Sequence, residues 1–428
     1  MRYAHITGWG KFIPERVMTN DDMAKLVNTS DGWIRKMTGI GQRHLVGPKD
    51  SCATMAAAAA LEALDVANIS AAQIGMIIVA TSTPDYAFPS TACLVQDALG
   101  ADNAGAFDLS AACSGFIYAL GMAADAIKAK SVDYALVIGS EVMSRVLDWT
   151  DRNTCVLFGD GAGAVVLQGS DQPGGVLSTV LRADGSGSDM LYVRSNYNSM
   201  PETVQATEVV QSPGGPGGEA PSCNGYLKMN GREVFRFATR ILEHATRDVM
   251  YRAGWQADEI DVFVPHQANI RIIDSAAHAL GIPTEKVFSN IEHYGNTSAA
   301  SIPIAICEAA SLGRLRPNDK VVMVGFGAGL TWGAAAVEWG TPRILNRTNR
   351  TLNRVRLGAA GVRSRARRAW RRMEDRLAGA DDTTHSPAKA PHPSHSQEKS
   401  NNGHSIDPVP TEKVPLKAEE RDASKLLP

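Results

Sequence analysis

Cys113 is the residue in this chain whose type and position most strongly suggest a chemical role, because it lies between a predicted strand and a predicted helix. The short apolar run 106–109 is typical of a buried strand, and the Ala-, Leu- and Ile-rich run 114–130 is predicted to form a helix. Cys113 would then lie at a helix N-terminus, where unpaired N–H groups and the helix dipole favour a thiolate. The alternative is a small buried hydrophobe, as most free cysteines are, and position alone leaves both interpretations open.

Two other segments place polar side chains at similar junctions. His266 follows the hydrophobic run 262–265, which is predicted to be a strand. Asn296 lies in a loop of small residues before a helix predicted to end near Leu312. Either residue alone would be an ordinary structural polar group. A nucleophilic cysteine with a histidine and an asparagine, each at the end of an element, is a recurrent arrangement for acyl transfer. The three residues together favour the catalytic interpretation of Cys113.

Several motifs in a fixed order resemble one enzyme family, the ketoacyl-acyl-carrier-protein synthases III of the thiolase superfamily. The resemblance extends from about Tyr3 to Trp339. The motifs are TSDGW at 29–33, AACSG at 111–115, FGDGAG at 158–163, PHQAN at 265–269, GNTSAAS at 295–301 and FGAGLTWG at 326–333. The family initiates fatty-acid synthesis by condensing an acyl-CoA, such as acetyl-CoA or another short acyl-CoA, with malonyl-acyl-carrier protein. The resemblance implies that reaction here, with 3-oxoacyl-acyl-carrier protein and CO2 as products.

The resemblance also implies roles for the three polar residues. Cys113 would hold the acyl group as a thioester, so that one hard step is split into two. The backbone N–H groups of Cys113 and Ala328 match the family's oxyanion hole. His266 and Asn296 would donate hydrogen bonds to the carbonyl of the malonyl thioester. Loss of CO2 then supplies the carbanion, so the reaction is expected to need no metal and no cofactor beyond its CoA thioester substrates.

Further residues are matched to substrate and partner binding by the resemblance. The positions matched to CoA binding are Thr29, Trp33, Arg152, Phe235, Asn269 and Arg271. Many relatives carry a second adenine-stacking Arg four positions after the tryptophan, whereas this chain has Met37, with Arg35 and Lys36 as candidate substitutes.

Arg236 and Arg271 match residues that dock the acidic carrier protein, but the helix predicted after Arg271 lacks the lysines often found there, so docking is expected to be weaker than usual. Phe88 matches a residue that reaches across a homodimer to bound the partner's acyl pocket.

Two other functions remain open on the sequence. A specialised relative could use the same three residues to make a secondary metabolite or to join two long acyl chains head to head. A noncatalytic binding or scaffolding protein could keep the fold without the chemistry, although the intact constellation argues against it.

The composition of the chain indicates in which cellular compartment the protein works. No stretch approaches about 20 uninterrupted apolar residues, and the N-terminus lacks a basic-then-apolar signal pattern. The six cysteines are scattered without CxxC pairs, which argues against a metal site or a disulfide framework and favours a reducing cytoplasm.

The sequence predicts an α/β protein with a thiolase-like fold. Near-continuous apolar strands alternate with helical stretches, which indicates sheets covered by helices on both faces. The pattern occurs twice, in residues 1–172 with the nucleophile and in residues 173–340 with the histidine and asparagine. The stacking of the halves as α-β-α-β-α layers is implied by the resemblance. A Gly/Pro-rich insertion at 196–224 is either a surface insertion or a flap over the substrate entrance.

The charge is unevenly distributed. Residues 341–428 carry 18 Lys and Arg against 10 Asp and Glu, which leaves 25 and 35 of the totals of 43 and 45 for residues 1–340. The body therefore carries a net charge of −10 and the tail +8. Residues 341–376 hold 12 Arg, and a row of apolar residues seven apart predicts a basic amphipathic helix. Residues 377–428 have the composition of a disordered extension.

The basic segment has several open interpretations. It is either a solvated charged tail, a weak contact for an anionic membrane surface, or a site that captures the acidic carrier protein. Nucleic-acid contact ranks last, and no specific nucleic acid is expected, because an Arg-rich helix without a recognised fold or interleaved aromatic residues is weak evidence for it.

Overall fold

The computed structural model describes residues 1–194 and 225–340, together with five residues of the basic segment: Arg363, Ala366, Ala369, Trp370 and Met373. Those five are helical and exposed. The insertion at 196–224 and the extension at 377–428 lie outside the described residues, as does most of the basic helix proposed for 341–376. Residues up to Gly340 fall within one compact unit, Met1–Arg371.

The strands, in chain order, are β1 (Tyr3–Phe12), β2 (Arg16–Thr19), β3 (Gln42–Leu45), β4 (Met76–Ala80), β5 (Gly105–Leu109), β6 (Tyr134–Glu141), β7 (Gly161–Ser170), β8 (Gly175–Ala183), β9 (Leu191–Tyr192), β10 (Lys228–Met229), β11 (Val262–Pro265), β12 (Lys320–Gly327) and β13 (Thr331–Glu338). The helices are α1 (Asn20–Ala24), α2 (Asp31–Thr38), α3 (Cys52–Ala67), α4 (Thr91–Leu99), α5 (Gly115–Lys128), α6 (Arg152–Cys155), α7 (Gly231–Ala253), α8 (Ile270–Leu280), α9 (Ile291–Tyr294) and α10 (Ser301–Ser311).

Two sheets share one pattern of strand order and direction. The first sheet has the order β1-β7-β6-β4-β5, and the second has the order β8-β13-β12-β11. In the first, β4 and β6 are parallel, and β6, β7 and β1 alternate in direction. In the second, β11 and β12 are parallel, and β12, β13 and β8 alternate in the same way. This correspondence confirms the predicted duplication of a thiolase-like half.

A single parallel bridge extends the correspondence. Phe263 of β11 pairs with Val287 at the position that β5 occupies beside β4. Val287 leads to the loop before α10, as β5 leads to Cys113 and α5. The loop that carries Asn296 is therefore the counterpart, in the second half, of the loop that carries Cys113.

The hydrophobic clusters show the layers. One cluster joins α5 and α10 to the facing sides of both sheets, through residues such as Phe116, Ile302, Val137 and Met323. A second packs α3 and α4 against the outer face of the first sheet. A third packs α7 and α8 against the outer face of the second sheet. Strands β4, β6, β11 and β12 are buried along nearly their whole length, and their sequences are apolar without alternation. The edge strand β1 instead alternates buried and half-buried residues.

Helix α7 is the longest of the described helices, and it carries charged residues along its outer side. In the part of the chain described, no helix is long and apolar enough to cross a lipid bilayer.

Candidate active site

Cys113 lies where the first sheet gives way to the central helix α5. Ala112 has a φ of +46°, and this turn leads from the end of β5 into the 3-10 segment Ala112–Ser114 and then into α5. The cysteine is 7% exposed. Gly327, at the end of β12, packs against it so closely that a Cβ there would lie 2.6 Å from the Cys113 nitrogen. A residue larger than glycine at 327 would therefore displace the nucleophile.

The Cys113 thiol has a raised pKa, contrary to the thiolate expected at a helix N-terminus. Burial raises the pKa to about 12, because a thiolate here would lose its hydration, and the carboxylate of Glu141 acts in the same direction. A hydrogen bond with the Ser298 hydroxyl opposes the shift. The free protein therefore holds a neutral thiol, and proton loss must accompany attack on a substrate.

His266 follows β11 and is 1% exposed. Its ring meets the ring of Phe326 edge to face, with the centroids 5.4 Å apart. Its Nδ1 lies 2.5 Å from the Ser301 hydroxyl at the start of α10. Desolvation lowers the pKa of His266 to about 3, so the ring is neutral at physiological pH. With Nδ1 engaged, Nε2 is the ring nitrogen left for a ligand.

Asn296 is held by its backbone and by one end of its amide. Its backbone N–H donates to the Leu157 carbonyl at 2.9 Å, and its carbonyl accepts from the Gly159 N–H at 3.1 Å. Its Oδ1 accepts from the Ser298 N–H at 2.8 Å. The side-chain NH2 group is thus the hydrogen-bonding group that Asn296 has left to offer.

The three predicted residues come together around one space. Cys113, His266 and Asn296 line a cavity of about 80 Å³, which Phe326 and Gly327 also border. Leu157, Phe158, Val234 and Ile272 also face it. A narrow apolar pocket with a thiol, a neutral imidazole and a primary amide at its base suits an acyl group better than a charged one.

Two turns carry the backbone N–H groups that were matched to the oxyanion hole, those of Cys113 and Ala328, and Cys113 lines this cavity. The Thr331 hydroxyl lies 3.0 Å from the Ala111 carbonyl and 2.9 Å from the Ala328 carbonyl. Ser114 adds a hydrogen bond of 2.8 Å to Thr331. The two turns that would form the oxyanion hole are therefore tied together through Thr331, which the sequence analysis did not single out.

The entrance is wide and carries stacked aromatic and cationic groups. A cavity of about 700 Å³ is lined by Trp33, and another of about 670 Å³ is lined by Phe235, Arg236, Asn269 and Arg271. The Arg152 guanidinium lies 4.5 Å from the centre of the Trp33 ring. The Arg271 guanidinium lies 5.4 Å from the centre of the Phe235 ring.

The remaining residues matched to CoA binding lie beside these pairs. The Asn269 amide caps helix α8 and donates to the Met37 carbonyl at 3.0 Å, which joins helix α2 to helix α8. The Thr29 hydroxyl is buried without a hydrogen-bond partner among the described residues. The residues matched to CoA binding thus lie around the entrance or next to residues that line it.

Arg35, one of the two cations proposed to replace the arginine absent at Met37, has its own partners in the structure. Arg35 forms ion pairs with Asp31 at 2.9 Å and Glu292 at 2.7 Å, and its head group packs against Gly41. The Arg35 guanidinium is therefore occupied by Asp31 and Glu292 and is not available at the entrance. Arg232, which the sequence analysis did not select, lines both wide cavities at the entrance. Its place in the sequence, next to Gly231 at the start of α7, does not by itself indicate that it lies at the entrance.

Phe88 is 86% exposed, on the loop between β4 and α4. The neighbouring Tyr86 is 58% exposed. Two large exposed hydrophobic residues on one loop are unusual at a free surface.

Glu141, Ser298 and Ser301 were also missed as individual residues. Both serines lie in the small-residue loop that was identified as a motif, but their contacts with Cys113 and His266 depend on the packing of the two halves. Within the described residues, no group of three His, Cys, Asp or Glu side chains could hold a metal ion.

Comparison with known proteins gives one family. The family models described as 3-oxoacyl-[acyl-carrier-protein] synthase III and its C-terminal part match residues 107–185 and 250–339. The beta-ketoacyl-[acyl-carrier-protein] synthase III of Symbiobacterium thermophilum is 49% identical over 337 residues, 79% of this chain and 98% of that protein. The protein of the same name from Roseiflexus sp. is 45% identical over 335 residues, 78% of this chain and 98% of that protein.

A solved structure agrees. The crystal structure of 3-oxoacyl-[acyl-carrier-protein] synthase III from Aquifex aeolicus is 45% identical, covers 78% of this chain and 100% of its own, and superposes with a TM-score of 0.70. The chain belongs to the beta-ketoacyl-[acyl-carrier-protein] synthase III family, and it is an acyltransferase of the condensing type that initiates fatty-acid synthesis.

Proposed function

We propose that the protein condenses a short acyl-CoA with malonyl-acyl-carrier protein, using Cys113, His266 and Asn296 as its catalytic residues. One observation carries the assignment of these residues. A buried thiol, a neutral imidazole and an amide whose oxygen is already occupied all line one narrow cavity, which leaves them as a nucleophile and two hydrogen-bond donors.

The first step is acyl transfer. The Cys113 sulfur attacks the thioester carbon of acyl-CoA, and the bond to the CoA sulfur breaks. The N–H groups of Cys113 and Ala328 stabilise the oxyanion that forms between these events. The proton lost by Cys113 is taken up overall by the CoA thiolate, so no net proton is consumed. The raised pKa of Cys113 means that the thiol is protected until a substrate is bound.

The second step is decarboxylation and condensation. Ser301 Oγ accepts from the Gln267 N–H, so its own proton can be donated to His266 Nδ1, and the ring proton then lies on Nε2 as a donor. This N–H and the Asn296 NH2 group bind the malonyl thioester carbonyl. When CO2 leaves, its bonding electrons form the enolate that these donors stabilise. The enolate carbon attacks the acyl thioester on Cys113, and the departing cysteine sulfur regains a proton from solvent.

The entrance residues supply the binding of CoA. An adenine can stack on the outer side of the Trp33–Arg152 pair, because the two groups lie 4.5 Å apart and leave no room for a base between them. Arg232 is the cation that takes the place of the arginine absent at Met37. Arg236 and Arg271, together with Arg232, form the basic rim on which an acidic carrier protein would dock.

The proposal also covers the oligomeric state of the protein and its location in the cell. The exposed Phe88 supports a homodimer in which this residue bounds the partner's acyl pocket. Free cysteines, without a disulfide among those described, support a cytoplasmic location. The basic tail would add a weak contact with an anionic membrane surface.

A mass-spectrometric assay tests the proposal. The protein is incubated with acetyl-CoA, then with longer acyl-CoAs, and the peptide containing Cys113 is analysed before and after malonyl-carrier protein is added. We expect an acyl adduct on Cys113 that disappears as 3-oxoacyl-carrier protein and CO2 form. Condensation only between two long acyl-CoAs would favour the head-to-head alternative, and the absence of any adduct would favour a noncatalytic protein.

A further inference from the structure

Glu141 is a buried carboxylate beneath the active site, at the end of strand β6. It is 0% exposed, and no Lys or Arg of the described residues forms an ion pair with it. Instead it accepts hydrogen bonds from the turn after β4: from the Ser82 N–H at 3.0 Å, the Thr83 hydroxyl at 2.6 Å and the Thr81 hydroxyl at 3.2 Å. Burying a carboxylate without a cation is costly, so such a group calls for an explanation.

The other side of the same carboxylate reaches the second half of the molecule. It accepts from the Ser298 hydroxyl at 2.9 Å and from the Ala299 N–H. Ser298 has a φ of +50°, in the left-handed region that non-glycine residues seldom adopt. Such conformations persist where the surroundings hold them, and here the holding group is Glu141.

Ser298 in turn holds one of the three proposed catalytic residues. Its N–H donates to Asn296 Oδ1 at 2.8 Å, which fixes the amide with its NH2 group free. The contacts therefore run from Glu141 through Ser298 to the asparagine.

We propose that Glu141 and Ser298 are positioning residues of the condensation reaction. Glu141 holds Ser298 in its left-handed conformation, and Ser298 sets the orientation of the Asn296 amide. The proposal rests on the proposed function, in which Asn296 serves decarboxylation and not acyl transfer.

The proposal separates the two steps of the reaction. Acyl transfer uses Cys113 and the oxyanion hole, whereas decarboxylation uses the Asn296 NH2 group. Loss of the Glu141–Ser298 contact should therefore slow decarboxylation and leave acyl transfer intact. General damage to the packing of the two halves would slow both steps.

The variants E141Q and S298A test this prediction, with D160N as the matched control. Asp160 is also a buried carboxylate, but it accepts from the Val46 N–H and from Ser144, and its side chain contacts none of the catalytic residues. Each full-length variant is incubated with acetyl-CoA, and acetylation of the Cys113 peptide is followed by mass spectrometry. Decarboxylation of malonyl-carrier protein is measured on the same samples.

We expect E141Q and S298A to acetylate Cys113 at close to the wild-type rate, because acyl transfer does not use Asn296. Both variants should decarboxylate malonyl-carrier protein about 10-fold to 100-fold more slowly, because a displaced donor loses its alignment. D160N should match the wild type in both assays.

Decarboxylation at the wild-type rate by both variants, or an equal loss of acetylation and decarboxylation, would overturn the proposal. If E141Q fails to fold, S298A decides alone, because a serine-to-alanine change in a small loop removes one hydroxyl; unchanged decarboxylation in that variant would be decisive against the proposal. If the wild type itself does not decarboxylate malonyl-carrier protein, it is the proposed function that fails.

Discussion

The guanidinium of Arg152 stacks on the indole of Trp33, with 4.5 Å between the guanidinium carbon and the ring centre. The two residues are far apart in sequence, and the short helices α2 and α6 bring them together at the entrance. Arg152 also donates to the Asn28 carbonyl at 2.8 Å, so the pair is held without a ligand. A preformed stack of this kind lowers the cost of ordering when a planar base binds.

We therefore expect Arg152→Ala to raise the KM for acyl-CoA about 10-fold with little change in kcat, because the interaction is made equally in the ground and transition states. Arg232→Ala should have a similar effect if it supplies the cation absent at Met37. Arg247→Ala is the control, since Arg247 lies on the same helix but is paired with Glu243 at 3.0 Å. Steady-state kinetics with acetyl-CoA measures all three, and an equal loss in the Arg247 variant would refute the assignment.

The catalytic residues should divide their labour between the two steps. Cys113→Ala should abolish acyl transfer but still decarboxylate malonyl-carrier protein, because His266 and Asn296 remain to bind the enolate. His266→Ala should slow decarboxylation and condensation together, by about 100-fold to 1,000-fold, as loss of an oxyanion donor does. Release of CO2 and formation of product are measured in parallel. Decarboxylation at the wild-type rate by the His266 variant would reduce its role to that of a base or a bystander.

The burial of His266 makes the folded state sensitive to acid. Its pKa falls to about 3 in the folded protein, so the unfolded chain binds a proton below about pH 6.5 that the folded protein does not. Stability is therefore fully present above that pH and falls as the pH drops toward 3. Between pH 6.5 and pH 4.5 the wild type should lose about 2 kcal/mol more than His266→Ala, because other groups titrate alike in both. Urea unfolding at the two pH values tests this, and parallel losses would contradict it.

The loop that exposes Phe88 should be covered in solution. We expect sedimentation to show a homodimer, and Phe88→Ala to widen the acyl pocket of the partner and increase the rate with longer acyl-CoAs. The mutation of an exposed side chain is expected to leave the monomer fold intact, which circular dichroism checks. An active monomer, with acyl preference unchanged by the mutation, would return Phe88 to the status of an ordinary surface residue.

The basic tail should act separately from catalysis. A chain ending at Gly340 is expected to retain condensation activity, because every proposed catalytic residue precedes that point. The full chain should bind anionic vesicles more tightly than the shortened one, by roughly 1 kcal/mol per Lys or Arg near the surface, and lose the difference in high salt. Flotation with vesicles containing anionic lipid, at low and high salt, measures this. Equal binding of the full and shortened chains to the vesicles at low salt would indicate that the tail is only a solvated charged segment.

The sequence alone predicted the thiolase-like architecture, through its resemblance to a family, and singled out Cys113, His266 and Asn296, which the structure brings to one cavity. Apolar strands, small-residue turns and ordered motifs are local signals, and they survive in the primary structure because each element must bury its own face. The strand before Cys113 and the helix after it were predicted to within a few residues.

The tertiary structure decided what surrounds those residues. Burial raises the pKa of Cys113 although the residue lies at a helix N-terminus, and both halves of the molecule contribute to that burial. Arg35 is drawn away by Glu292, which lies far along the chain, while Arg232 reaches the entrance. Glu141 meets Ser298 across 157 positions in the sequence. Contacts of this kind depend on how two sheets and their helices pack, and no local pattern of residues encodes them.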